Sequence, residues 1–404
     1  MSWDVLFAAL TLTAGYNAAV VAVGAALLGA SAAGIGTFVL LRKRALVSDA
    51  VSHATLPGIG LAFIVMTAFG GDGRSLAGLM AGAAVTAALG LLAVDAITRR
   101  SRLSEDAAIG AVLSVFFGAG IVLLTIIQTM SAGRQAGLSS FLLGSTAGML
   151  FSEAVLITVA SAAGVVALYA LRRPMILVGF DPSYAAAAGY NVRRIDLAML
   201  LLALVITVIG LKVVGLVLIV ALMIIPPVAA RFWTDRADRM VLIAAGLGAL
   251  AGFVGTAVSA SAHQLPTGPV VVVTAFVLFC LSLLAAPQRG LLASTLRFRA
   301  FEARVHERQG LLAIARGEAV YDRFTLAVLR RRGLVRPDGV PTLMGRGAAA
   351  AALRDEARWE AYRRLEPGSP LLGRYDGLTP IETILAADQI AELDRRLALR
   401  VAAP

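Results

Sequence analysis

Arg42-Lys43-Arg44-Ala45-Leu46-Val47-Ser48-Asp49-Ala50-Val51-Ser52-His53-Ala54-Thr55-Leu56-Pro57-Gly58 lies between two apolar runs, at about 16–41 and 50–69. Each run reaches the ~20 residues that a helix needs to cross ~30 Å of hydrocarbon. Three consecutive cations between two such runs read as a short loop held at a membrane surface. Further apolar runs follow at about 75–98, 107–128, 149–171, 196–212, 214–232, 239–261 and 268–286. None alternates polar with apolar residues, so helices and not barrel strands are expected. The 196–232 pair is broken only by Lys212 and Gly215, which implies a tight hairpin. The fold class expected is an all-α polytopic membrane protein with nine spans, or eight if one segment is re-entrant.

The rest of the composition agrees. Of 404 residues, 59% are hydrophobic and 15% charged, against roughly 25% charged in a soluble domain. The charge is concentrated at one end: residues 1–286 hold 27 charged side chains and residues 287–404 hold 34. That break predicts a transmembrane domain over 1–287 and a water-soluble extension over 288–404. Thirteen of the 16 basic residues of the membrane part fall in alternate connections, at 42–44, 99–102, 172–194 and 231–239. Such alternation puts those connections, and the extension, in the cytoplasm. The formal charge of +11 is therefore read as topology and not as a nucleic-acid footprint.

Asp49 and His53 are four residues apart, so on a helix they share a face. A carboxylate and an imidazole suit Mn²⁺, Fe²⁺ or Zn²⁺, and an ionisable residue within a membrane span is a functional candidate. The plainer alternative is that Ser48 and Asp49 start a helix at the surface, with His53 solvated. Pro57-Gly58 can bend that helix. His263, just before Leu265-Pro266 on the expected outer side, is a candidate entry ligand or simply a solvated loop histidine. The single cysteine, Cys280, forms neither a disulfide nor a metal cage by itself. No Gly-Lys-Ser/Thr occurs, so no P-loop is present to hold ATP phosphates. The chain is expected to be no enzyme, to keep no permanent cofactor, and to need a separate ATPase if ATP drives it.

The Arg42–Gly58 stretch resembles the signature of the metal-type permeases of ATP-binding-cassette importers, a basic pair followed by G-D-A-x-S-H-A-x-L-P-G, with Ser48 where that pattern has Gly. Three more stretches resemble the family in order. They are Phe180-Asp181-Pro182-Ser183-Tyr184-Ala185 through Gly189-Tyr190, Lys212-Val213-Val214-Gly215 through Ile225-Pro226-Pro227, and Leu265-Pro266-Thr267-Gly268-Pro269. The resemblance spans about 16–286 and implies a permease subunit in a bacterial inner membrane. It implies Asp49 and His53 as contacts for a transported divalent metal, Mn²⁺ or Zn²⁺ first and Fe²⁺ after them. Asp181, Pro182, Ala185 and Gly189 would form the segment that docks on the ATPase. Pro57, Gly58, Gly215, Pro226, Pro266 and Gly268 would shape packing and gating. The partners implied are an ATPase dimer, an extracytoplasmic metal-binding protein, a second permease subunit and membrane lipid, with no nucleic acid. Two rival readings are a secondary metal-cation transporter, and a membrane-anchored regulator acting through the extension.

The extension carries 20 basic and 14 acidic residues. Its pattern predicts helices over 301–316, 318–332 and 346–364, a hairpin around Pro337-Asp338-Gly339, and one or two short helices over 379–399 with Asp388 as an N-cap. Leu329–Val335, Pro341–Arg346, Arg358–Tyr362 and Ile381–Leu385 resemble winged-helix repressors of the diphtheria-toxin-repressor type. That resemblance implies a small α+β winged-helix tail. Thr383 stands where the pattern places a metal-binding His, which argues against metal sensing.

Overall fold

The computed structural model describes residues 3–71, 73, 75–130, 151–261 and 265–401. A short helix α1 (Trp3–Leu10) leads into α2 (Tyr16–Leu41), α3 (Ala45–Ala68), α4 (Leu76–Arg100), α5 (Glu105–Thr129) and α6 (Phe151–Phe180). Then come α7 (Pro182–Ala187), α8 (Val192–Val214), α9 (Leu216–Arg231), α10 (Ala237–Ala260) and α11 (Thr267–Ala285). The chain divides into two compact units, Met1–Ala293 and Ser294–Pro404.

Among the described residues eight helices are long and apolar enough to cross a membrane: α2 to α6, α8, α10 and α11. The chain is thus a multi-pass membrane protein. Of the expected 196–212 and 214–232 pair, only the first is of spanning length. Helix α9 has 16 residues, about 24 Å at 1.5 Å per residue. Gly215, with φ +83°, makes the break between α8 and α9, a backbone state that glycine adopts without steric cost. Leu218, Ile219, Leu222 and Met223 of α9 are buried among neighbouring helices, and Pro226 and Pro227 lie within it. Helix α6 runs to Phe180, past the expected end of its span, and takes Arg172 and Arg173 into the helix. Arg172 lies over the Tyr169 ring at 4.1 Å.

Several helix starts are set by local side chains. Ser104 Oγ accepts from the Ala107 N–H and Asn191 Oδ1 from the Arg194 N–H, satisfying donors that a helix start leaves orphaned. Glu105 and Asp106 in the first turn of α5, and Arg99 and Arg100 in the last turn of α4, match the helix dipole.

The membrane unit has two large cores. One joins α2, α6, α8, α9, α10 and α11 through residues such as Leu28, Ile35, Phe38, Ile157, Ile219 and Met223. The other joins α3, α4, α5 and α8 through Val51, Ile59, Phe63, Leu79, Ile109 and Val112. Helix α8 belongs to both, offering Met199, Ala203 and Ile206 to the first and Leu200, Leu204 and Val208 to the second. Small residues bring helices close. A Cβ on Gly248 would collide with the Gly29 carbonyl, and one on Gly58 with the Gly82 carbonyl, the close approach that glycine permits between membrane helices.

The second unit is helical: most of α12 (Leu291–Ala315), then α13 (Arg323–Arg331), α14 (Leu343–Leu365), two short 3₁₀ turns and α15 (Ala387–Val401). The expectation of an α+β winged-helix tail is corrected here. Among the described residues there is no strand, and the hairpin reduces to one antiparallel bridge between Val335 and Pro341. Pro341 has no N–H to give a ladder, and the Pro337-Asp338-Gly339 turn takes up most of the segment. Two further boundaries differ from the sequence reading. Asp322 caps α13, its Oδ2 accepting from the Thr325 N–H at 2.7 Å, and Asp388 lies in the first turn of α15, not at its cap.

Candidate metal contact on helix α3

The turn joining α2 to α3 is only three residues long, and its middle residue, Lys43, has a left-handed φ of +59°. Helix α3 therefore starts at Ala45. Ser48 closes the first turn and Asp49, the fifth helical residue, lies just beyond it, so neither is the N-cap. Asp49 Oδ1 stands 3.4 Å from His53 Nε2, longer than an ordinary N–H···O bond of 2.7–3.2 Å. Two ligand atoms each ~2.1 Å from a tetrahedral ion stand about 3.4 Å apart. The His53 ring is set edge-on against Phe117 of α5, centroids 4.9 Å apart. Its other nitrogen, Nδ1, is buried with no hydrogen-bond partner, as is Ser48 Oγ.

The Asp49 side chain is 34% exposed and that of His53 20%, on a helix whose opposite face is packed into α4, α5 and α8 through Val47, Ala50, Val51 and Ala54. Pro57, buried within α3, has no N–H to offer the His53 carbonyl. Ser52 and Thr55 turn their hydroxyls back onto the carbonyls of Ser48 and Ser52, which locally bends a helix. The Gly58–Gly82 approach and the seating of Gly120 against Leu56 and Pro57 hold this proline-containing segment between α4 and α5. Among the described residues no third His, Cys, Asp or Glu joins the pair to form a larger ligand group.

The other candidates separate in space. His263 lies outside the described residues. Pro266 is the N-cap of α11, and Gly268 is buried in its first turn. Ser259 Oγ ties this entry to α10, bonding the Leu265 carbonyl at 2.9 Å and Thr267 Oγ1 at 3.0 Å. Asp181 caps α7, accepting from the Tyr184 N–H at 2.9 Å, with Pro182 at the first helical position. Ala185 is fully buried, and Gly189 with φ +86° ends the segment. Phe180, Tyr184 and Tyr190 around α7 are exposed.

In the second unit His306 Nδ1 is engaged by Thr325 Oγ1 at 2.8 Å, and Glu382 is paired with Arg358. Both have structural duties. Arg358 bridges Asp394 and Glu382; the two carboxylates hold its guanidinium protonated, and the Arg358 bond depresses the Asp394 carboxyl below the usual range.

The sequence reading used Arg42 and Arg44 for topology and as the start of the signature, and passed over Asp196 and Glu105. The structure joins all four. Arg42 donates Nε to Asp196 Oδ1 at 2.9 Å and Nη2 to Oδ2 at 2.7 Å. Arg44 Nε pairs with Glu105 at 2.9 Å, and its Nη1 lies 3.7 Å from Asp196. The available signal was a pair of carboxylates at the starts of two apolar runs, one turn from basic loops, and nothing in the spacing says that they converge.

Residues 16–286, covering α2 to α11, match the profile of the ABC-3 family, described as the ABC 3 transport family. The manganese transport system membrane protein MntC of Bacillus subtilis (strain 168) is 40% identical over 291 residues, 72% of this chain and 66% of that protein. The zinc transport system membrane protein TroC of Treponema pallidum (strain Nichols) is 33% identical over 294 residues, 73% of this chain and 97% of that protein. Among solved structures, PsaBC from Streptococcus pneumoniae in complex with Fab superposes with a TM-score of 0.61 at 26% identity, over 72% of this chain and 98% of that one. Eight apolar helices in this arrangement, the profile match over two thirds of the chain and a 33% identical relative covered almost end to end lead to one assignment: the chain belongs to the ABC 3 transport family, as a membrane permease.

Proposed function

We propose that this permease forms the translocation pathway of an ATP-driven importer for a divalent transition metal, with Mn²⁺ preferred and Zn²⁺ next, and that Asp49 and His53 contact the ion in transit. The carrying observation is the Asp49–His53 pair at 3.4 Å on a partly exposed face of a membrane helix. A carboxylate turned to lipid is costly, so that face belongs against water or a second permease subunit. Carboxylate and imidazole accept Mn²⁺ and Zn²⁺ alike, and relatives named for manganese and zinc support both. Two strong ligands completed by water bind firmly enough to admit the ion and weakly enough to release it.

Energy comes from a separate ATPase dimer seated on α7. An exposed aromatic trio, Phe180, Tyr184 and Tyr190, around a short capped helix is the composition of a docking hot spot. An extracytoplasmic protein delivers the metal in a bacterial inner membrane, and the extension lies in the cytoplasm with the basic loops. The test is uptake of radioactive Mn²⁺ and Zn²⁺ by cells expressing Asp49→Ala or His53→Ala. Each is expected to lower uptake by about a hundredfold or more, since a strong ligand is lost. Wild-type uptake at normal expression removes the assignment.

A further inference from the structure

The site helix and the docking helix belong to different cores. Helix α3 packs with α4 and α5, whereas α6, which runs into α7, packs with α2 and α8. Only α8 is built into both. A movement delivered at α7 can reach Asp49 and His53 through α8, through the α2–α3 turn, or through α9, which also touches α3. Asp196, in the second turn of α8, is where the first two routes meet.

Asp196 is clamped by the Arg42 fork at 2.7 and 2.9 Å, the geometry of a strong bidentate pair. The same guanidinium reaches the Val178 carbonyl on α6 at 3.4 Å, three residues before Asp181. That pair is mostly buried and serves as cement. Arg44 is held differently. It stands between two carboxylates on two helices, ion-paired with Glu105 of α5 at 2.9 Å and farther from Asp196 of α8, at 3.7 Å. A displacement of about one ångström turns the second contact into a hydrogen bond. A cavity of about 190 Å³, lined by Arg44, Val47, Asp95, Glu105 and Leu200 among others, leaves the side chain room to turn. Arg44 is also the N-cap of α3, five residues from Asp49.

We propose that Arg44 is a two-position coupling residue. It pairs with Glu105 in the present arrangement and transfers to Asp196 when α7 and α8 move with a docked ATPase. That transfer re-aims the first turn of α3, and with it Asp49 and His53. The inference rests on the transport reading above and adds the element that links ATP use to the metal contact. Packed interfaces with two discrete arrangements convert small shifts into large ones, and a residue with two alternative partners is a physical basis for such an element. The left-handed Lys43 between the two arginines keeps the turn short, so a change at Arg44 is not absorbed by slack chain.

The experiment uses the assembled importer in liposomes, full-length chain with its ATPase and binding protein. Mn²⁺ uptake and ATP hydrolysis are measured in the same vesicles. Arg44→Lys keeps the charge, but an ammonium lacks the fork that addresses two carboxylates. The expected result is normal assembly and ATP hydrolysis with Mn²⁺ delivered per ATP reduced about tenfold. Glu105→Gln, at a more exposed partner, is expected to lower the same ratio. If both variants retain the wild-type ratio, the proposal fails, and it also fails if they only reduce the amount of assembled complex. If wild-type vesicles move neither Mn²⁺ nor Zn²⁺, the transport reading and this one fall together. If wild type transports, Asp49→Ala does not, and Arg44→Lys is fully coupled, only the coupling role falls.

Discussion

At the scale of single residues, two positions show how little room the helices leave. Gly58 follows Pro57 and lies against the Gly82 carbonyl. Gly58→Leu forces α3 away from α4, and overpacking of this kind costs about 1–3 kcal/mol or more. The expected outcome is a lower melting temperature in detergent and loss of uptake, with Gly110→Leu, at an open position, as the neutral control. Asp355 shows the same economy in the second unit. Its carboxylate accepts from Arg308 at 2.7 Å and from the Ile381 N–H at 2.7 Å, and both side chains of the pair are mostly buried. Asp355→Ala strands a guanidinium and an amide, at a cost of about 3 kcal/mol. Hydrogen exchange of the Ile381 amide is expected to quicken by about a hundredfold.

At the scale of elements, α14 and α15 are fastened by charge as well as by the Trp359, Tyr362, Ile381, Leu385 and Leu393 cluster. The Arg358 bond lowers the Asp394 carboxyl, and the Leu378 and Thr379 amides lower that of Asp376. Groups whose folded values are depressed stabilise the fold above the ordinary aspartate value of about 4, and that contribution is lost as pH falls through the folded values. Amide protection in α15, corrected for intrinsic rate, is therefore expected to be constant from pH 7 to 5 and to fall below about pH 4. Arg358→Gln is expected to bring that loss to neutral pH. In the membrane unit, α7 is rigid through its Asp181 cap and the buried Ala185, while Tyr184 faces outward. Tyr184→Ala is expected to leave expression unchanged and to reduce co-purification of the ATPase by about tenfold or more, the effect of losing an aromatic anchor.

At the scale of the whole molecule, the spans and their order were legible because lipid imposes one requirement on the chain, about 20 apolar residues whose backbone is bonded within the helix. The pairing of Asp49 with His53 was legible for an equally local reason: four residues on a helix is one turn. The sequence allowed eight spans in place of nine, but did not say that the shorter segment is α9. Leu216–Arg231 is as apolar as its neighbours, and only its length between Gly215 and Arg231 and its burial against α2 and α8 set it apart. The tail's wing was over-read because a turn signal marks a reversal of the chain without saying that the arms are long enough to pair.

Composition and spacing by themselves determined a polytopic helical membrane protein with a polar extension and one carboxylate–imidazole pair, because those properties are set by neighbours along the chain. The tertiary structure alone decided that α8 joins two cores, that Asp49 lies past the helix start on a partly open face, and that Arg42, Arg44, Glu105 and Asp196 meet. Those facts depend on residues up to 154 positions apart, and no local pattern records which distant carboxylate a given arginine will find.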